Sequence, residues 1–164
     1  MQSLELIRDN LVKSEGRVLA RVEEMKHATV FPTPRGGGHT LWVLGHLAYI
    51  EALVVREFML AEPNPLAGWK DRFDGDAPVN DPSQYPPFGE VLTACRAMRR
   101  ATLGLLGTLS EDDLGKPSQN APGGFGDTFG TYRLCLQYAA DHWYMHRGQL
   151  ADARRAAGLG RMWL

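Results

Sequence analysis

Apolar residues recur at three- and four-residue steps in four long stretches of the chain, the period of helices that bury one face. In the first, from about Ser3 to His27, Leu4, Ile7, Leu11, Ser14, Val18 and Val22 share a face, and Arg8, Lys13, Arg17 and Arg21 decorate the others. The second, from about Thr40 to Leu60, carries Leu41, Leu44, Leu47, Ala48, Val54, Val55 and Phe58. The third, from about Gly89 to Leu109, carries Val91, Leu92, Cys95, Met98, Leu105 and Leu106, and the fourth runs from about Thr131 to Ala157. No stretch of useful length alternates with the period of two that a half-buried strand requires.

The prolines agree with this division. All ten fall in residues 32–34, 63–87 and 117–122. Inside a helix each would remove a backbone hydrogen bond and clash with the preceding turn. Ser3 is a candidate N-cap for the first helix, and Asp127 or Thr128 for the fourth. Pro86-Pro87 is a start signal for the third helix, and Gly158 stops the fourth. Ser110 ahead of Glu111, Asp112 and Asp113 predicts a short extra turn over residues 110–114. The expected architecture is all-α, a four-helix bundle in a single domain over residues 1–164. A long crossover loop, residues 61–87, joins its second and third helices. Loops of this length are uncommon in compact domains unless they serve a function. Trp69, Phe73 and Tyr85 give this one apolar side chains to pack down. With the glycine-rich segment 117–130 it is expected to frame an opening above the functional residues.

Composition narrows the classes. With 44% hydrophobic and 23% charged residues the chain is ordinarily globular, which argues against disorder. A net charge of −1 lacks the basic surplus of a duplex nucleic-acid binder. Two cysteines, Cys95 and Cys135, are too few for a disulfide framework and fit a reducing cytoplasm. Met1-Gln2-Ser3-Leu4-Glu5 turns charged at once, unlike a secretory signal. The longest apolar run, Leu41 to Val55, is broken by His46 and Glu51 and falls short of the roughly 20 residues that span a bilayer. The expectation is therefore a cytoplasmic protein with no membrane and no nucleic-acid partner.

The histidines carry the chemistry. His142 and His146 are four residues apart on the fourth helix, so both imidazoles share a face one turn apart. No glutamate follows the first of them, which weighs against a zinc peptidase. His46 lies inside the apolar run Leu41-Trp42-Val43-Leu44-Gly45-His46-Leu47. A polar group there needs a partner, either a metal or a buried acceptor. Three His from two facing helices would leave a tetrahedral ion one open position, the ligand count of a catalytic zinc site. His39 precedes His46 by seven residues and so lies about 10 Å away along the helix axis, too far to share the ion. It is expected at the helix start, outside the core. His27 suits the end of the first helix as a solvated or structural cation.

Around these, Tyr138, Gln149 and Leu150 fall near the His142/His146 face, and Trp42, Tyr49 and Ile50 neighbour His46. Tyr138, Gln149, Arg147 and Glu51 are the catalytic or supporting candidates. Tyr138 and Gln149 would hold substrate or orient a ligand, Glu51 would accept an imidazole N–H, and Arg147 would face an anionic substrate or solvent. Asp141 points about 100° away from His142 and is expected to serve a neighbour or solvent. Gly148, costly in mid-helix, predicts a close helix crossing. Cys95 and Cys135 read as small buried apolar residues.

Two stretches, Thr40-Leu41-Trp42-Val43-Leu44-Gly45-His46-Leu47 followed by Glu51, and His142-Trp143-Tyr144-Met145-His146-Arg147-Gly148-Gln149-Leu150, resemble the DinB-like (DinB/YfiT-like) superfamily of helical-bundle metalloenzymes. The order of elements is similar from about Ser3 to Gly160. The resemblance implies a four-helix bundle that binds a divalent metal through His46, His142 and His146. Characterised relatives include thiol-dependent S-transferases and a mycothiol-dependent isomerase. It therefore implies a low-molecular-weight-thiol S-transferase, with the thiol as cosubstrate. Zinc suits imidazole best, and nickel or iron would serve. Three imidazoles with open positions can also activate water, so a metal-hydroxide hydrolase shares the ligands. A non-catalytic metal- or ligand-binding stress-response module is the other class. The expected partners are a small-molecule substrate and a second copy of the chain in a homodimer.

Overall fold

The structure, a computed structural model, describes residues 2–31, 33, 37–75 and 78–162. Pro32, Pro34 and Gly36 of the first proline and glycine zone lie outside them. There are four long helices, α1 (Ser3–Leu19), α2 (Thr40–Ala52), α4 (Phe88–Leu106) and α6 (Tyr132–Ala156), with two short ones, α3 (Lys70–Phe73) between α2 and α4 and α5 (Gly126–Phe129) between α4 and α6. Among the described residues there is no strand, only one isolated antiparallel bridge between Pro117 and Thr131. The chain is all-α.

α2 is the hub. Eleven of its 13 residues are buried, and its apolar residues continue around the whole circumference, as a helix enclosed by others requires. It packs on α4 and α6, and α1 packs on α6 and α4. Leu44 and Leu47 of α2 meet Val91 and Cys95 of α4 and Trp143 of α6 in one cluster. Leu11, Val54, Leu106 and Leu136 belong to a second.

One side chain reaches all four long helices. Arg99 of α4 is wholly buried, and its Nη2 lies 2.9 Å from Glu51 Oε2 of α2. The guanidinium donates from Nη1 to Leu11 O of α1 and from Nη2 to Ala139 O of α6, each at 3.0 Å. It lies 4.2 Å over the ring of Trp143.

Several local expectations shift. α1 stops at Leu19, where Ala20 leaves the helical region and Arg21 turns left-handed at φ 62°. A 3₁₀ turn over Val22–Met25 then returns Val22 and Met25 to the core. Gln2, not Ser3, is the N-cap of α1, and the Leu4 N–H is taken by Glu111 Oε1 at 2.8 Å. Thr131, not Asp127 or Thr128, caps α6, accepting from the Leu134 N–H at 3.3 Å. Asp127 and Thr128 belong to α5 instead. The turn after Ser110 forms a capping box: Asp113 Oδ2 accepts from the Ser110 N–H at 2.7 Å, and Ser110 Oγ accepts from the Asp113 N–H at 3.3 Å. Gly158, at φ +74°, ends α6. Past Ala52, α2 widens into a π-helix over Leu53–Met59.

The crossover segment is folded rather than slack. Ala67–Trp69 forms a 3₁₀ turn that runs into α3. Phe73 is wholly buried and Tyr85 nearly so. Val79 is clamped on both sides: its N–H donates to Tyr85 Oη at 2.9 Å, and its carbonyl accepts from His39 Nε2 at 3.0 Å.

Candidate metal centre

His46 comes from α2, and His142 and His146 from α6. A helix-central His on each side of a packed helix pair puts the imidazoles within reach of one another. The Nε2 atoms of His46 and His142 are 3.2 Å apart, and those of His146 and His142 are 3.1 Å apart. His142 is buried, and His146 is partly exposed.

The outer nitrogens fix how the inner ones are protonated. His46 Nδ1 meets Phe73 O at 2.6 Å, and His146 Nδ1 meets Gln149 Oε1 at 2.8 Å. Both oxygens can only accept, so both Nδ1 atoms carry the hydrogen and both Nε2 atoms present lone pairs. His142 Nε2 sits between them and can donate at most one hydrogen. One hydrogen cannot serve both neighbouring acceptors, so the three imidazoles cannot satisfy one another within the cluster. A cation relieves all three at once. Tetrahedral zinc with Zn–N near 2.0–2.1 Å sets its nitrogen ligands about 3.3 Å apart, close to the spacing here. The three residues fit a divalent ion, with Phe73 O and Gln149 Oε1 orienting two of the rings as carbonyl and carboxylate acceptors do behind metal-bound imidazoles.

Electrostatics favour the neutral forms of His142 and His146. Burial pushes the His142 imidazole down to about 2, and His146 and His46 add repulsion. Burial lowers His146 as well, with its bond to Gln149 opposing. Aromatic rings wall the cluster. Trp42 stacks on His46 at 4.5 Å and 15° between planes, and Tyr138 stacks on His142 at 5.3 Å and 16°. Burial raises the Tyr138 phenol, which stays protonated near neutral pH. Behind Tyr138 stands Phe129 of α5, 4.8 Å away, so the glycine-rich segment reaches the site through two rings.

The other candidates divide. Gln149 orients His146, and Tyr138 packs on His142. Glu51 does not join the cluster: its carboxylate turns into the core toward Arg99. Burial pushes that carboxyl up, with Arg99 opposing. Arg147 is partly buried, and its Nε finds no hydrogen-bond partner among the described residues. Asp141 is exposed and accepts from Gln137. His27 is exposed. His39 stands at the helix start but inside the core rather than outside it. It is wholly buried, with Nδ1 capping α2 by accepting the Trp42 N–H at 3.1 Å. Both cysteines are wholly buried and outside the cluster, and burial raises both thiols.

Sequence reasoning misplaced the close approach. A Cβ on Gly148 would meet open space, so no helix crosses there. A Cβ on Gly45 would instead overlap the Phe73 ring, and one on Gly38 would lie 2.9 Å from Gln149 Oε1 and 2.6 Å from the Trp42 ring. Both glycines back residues that touch the imidazoles. Their signal was available, in a glycine inside an apolar helix and another just ahead of its cap.

Residues 10–150 match the sequence pattern of the DinB superfamily, and the chain belongs to it. No curated protein and no solved structure matches the chain.

Proposed function

We propose that the protein is a divalent-metal-dependent enzyme that transfers a low-molecular-weight thiol to a small electrophile. The convergence of three imidazole Nε2 atoms, two of them held as lone-pair donors by Phe73 O and Gln149 Oε1, carries this reading. A divalent ion, zinc first, would supply Lewis acidity and hold a thiol as its thiolate. Three protein ligands leave a fourth position for that exchange.

The chain's own residues do the rest. Trp42 shields one face of His46, and Tyr138 shields one face of His142. The Tyr138 Oη keeps its proton and serves as a hydrogen-bond donor to a bound substrate. The thiol comes from outside, because Cys95 and Cys135 are buried away from the cluster. A cytoplasmic setting and a homodimer complete the reading.

Elemental analysis of the purified protein is expected to find about one divalent ion per chain. A model electrophile should then be consumed only when a thiol is added. Turnover of an ester without thiol would make it a hydrolase, and metal without any turnover would make it a binding module.

A further inference from the structure

We propose that Phe73 is the positioning residue for His46: its ring, seated in the gap left by Gly45, holds its own carbonyl where it fixes His46 in the Nδ1–H tautomer. The inference rests on the metal-centre reading for its consequence, but the positioning itself is a property of the metal-free chain.

Three observations meet at this point. The first is the bond from His46 Nδ1–H to Phe73 O, at 2.6 Å. The second is the fit of ring to helix. A Cβ at Gly45 would overlap Cε1, Cδ1 and Cζ of Phe73, so only glycine lets the ring lie against the α2 backbone one residue before His46. Glycine is a poor helix former, and nothing about α2 itself asks for it in mid-helix. The third is that the ring is enclosed. Phe73 is wholly buried between Trp69, at 5.0 Å, and Tyr85, at 5.4 Å. The side chain therefore anchors the main chain of α3, and the main chain presents the oxygen.

A neutral imidazole left to itself partitions between its two tautomers, and only the Nδ1–H form turns the Nε2 lone pair toward the cluster. Phe73 O accepts from that form alone. Seating α3 thus selects the ligand-competent imidazole. By linkage, an ion that requires the same tautomer stabilises the seated segment.

The test uses Gly45→Ala in the full-length chain. Alanine favours the helix, so α2 should persist while its Cβ drives the Phe73 ring out. Imidazole ¹⁵N spectra of the metal-free protein, recorded at about pH 8 where free histidine is neutral, should show His46 of the parent as Nδ1–H. The variant should show a tautomer mixture. Zinc affinity should fall about 10–100-fold, the usual cost of losing a partner behind a metal-bound imidazole. Phe73→Ala, which removes the ring without crowding, should give the same two changes and stands in if Gly45→Ala does not fold. Trypsin gives a further readout at Lys70 and Arg72, both exposed in α3. Zinc should slow these cuts about tenfold in the parent and not in Gly45→Ala.

Variants that keep the parent's His46 tautomer and zinc affinity would overturn the positioning role. A parent that binds no metal would sink the metal centre, while the tautomer comparison would still decide the role of Phe73. Metal binding without thiol transfer would sink the proposed reaction alone.

Discussion

His39 and His46 sit two turns apart on one helix and have different roles, because the nitrogens of His39 are both engaged. One accepts the Trp42 N–H and the other donates to Val79 O, so no lone pair is left to offer an ion. Alanine at His46, His142 or His146 should therefore strip most of the metal. His39→Ala should keep the metal but lose about 1–3 kcal/mol of stability, through the lost cap and the orphaned backbone groups. Exposed His27→Ala should change neither. Metal per folded chain and a thermal melt, measured across the five variants, check this; full occupancy in His46→Ala would overturn it. Gln149→Leu should weaken metal binding about tenfold by freeing the His146 tautomer, as a chelator competition would read. The three cluster residues were legible because imidazoles at helical spacing, one of them in an apolar run, are rare enough to stand out. Phe73 O was not legible. It is a backbone oxygen 27 residues from His46, and every residue carries one.

At the scale of elements, the helical period found the four long helices, since burial of one face leaves its mark on composition. The end of α1 left no such mark: Leu19-Ala20-Arg21 contains no proline or glycine, and the break serves the burial of Val22 and Met25. Glu51 was read from sequence as a partner for an imidazole because it lies near His46. Its true partner is on α4, 48 positions along the chain, a pairing no local pattern encodes. This pair binds the helices together around Trp143. Glu51→Ala should cost about 3–5 kcal/mol, because it strands a buried guanidinium. Replacing both, as Glu51→Leu with Arg99→Met, should cost much less, since no charge is then left unpaired. Denaturant unfolding of the single and double variants measures the difference, and equal losses would refute the pairing.

For the whole molecule, the sign of the pH response follows from the histidines. Burial lowers His142 to about 2 and lowers His39 and His146 from their ordinary value. An unfolded chain takes up protons at these positions near pH 6.5, and the folded chain refuses them. Their contribution to stability is thus complete above about pH 6.5 and is lost as the pH falls below it. A bound ion deepens the loss, because its ligands must be neutral. At a hundredfold its dissociation constant the ion adds about 2.7 kcal/mol above that window. Melting temperatures of the metal-free and metal-loaded protein should both decline between about pH 7 and 5, the loaded form more steeply. The Glu51 carboxyl, pushed up by burial, opposes this trend where it titrates, so the decisive quantity is the difference between loaded and metal-free protein. A difference that does not shrink on acidification would contradict binding through neutral imidazoles.

The two interior thiols have a consequence for any protein that handles electrophiles. Cys95 and Cys135 are wholly buried and held in the protonated form, which is a poor nucleophile. The folded chain therefore does not offer these thiols to the electrophile of the proposed reaction. Alkylation becomes a covalent record of unfolding: iodoacetamide should leave the native protein unlabelled and mark both sulfurs once it opens. Any labelled molecule recovered after turnover has opened around that sulfur at least once.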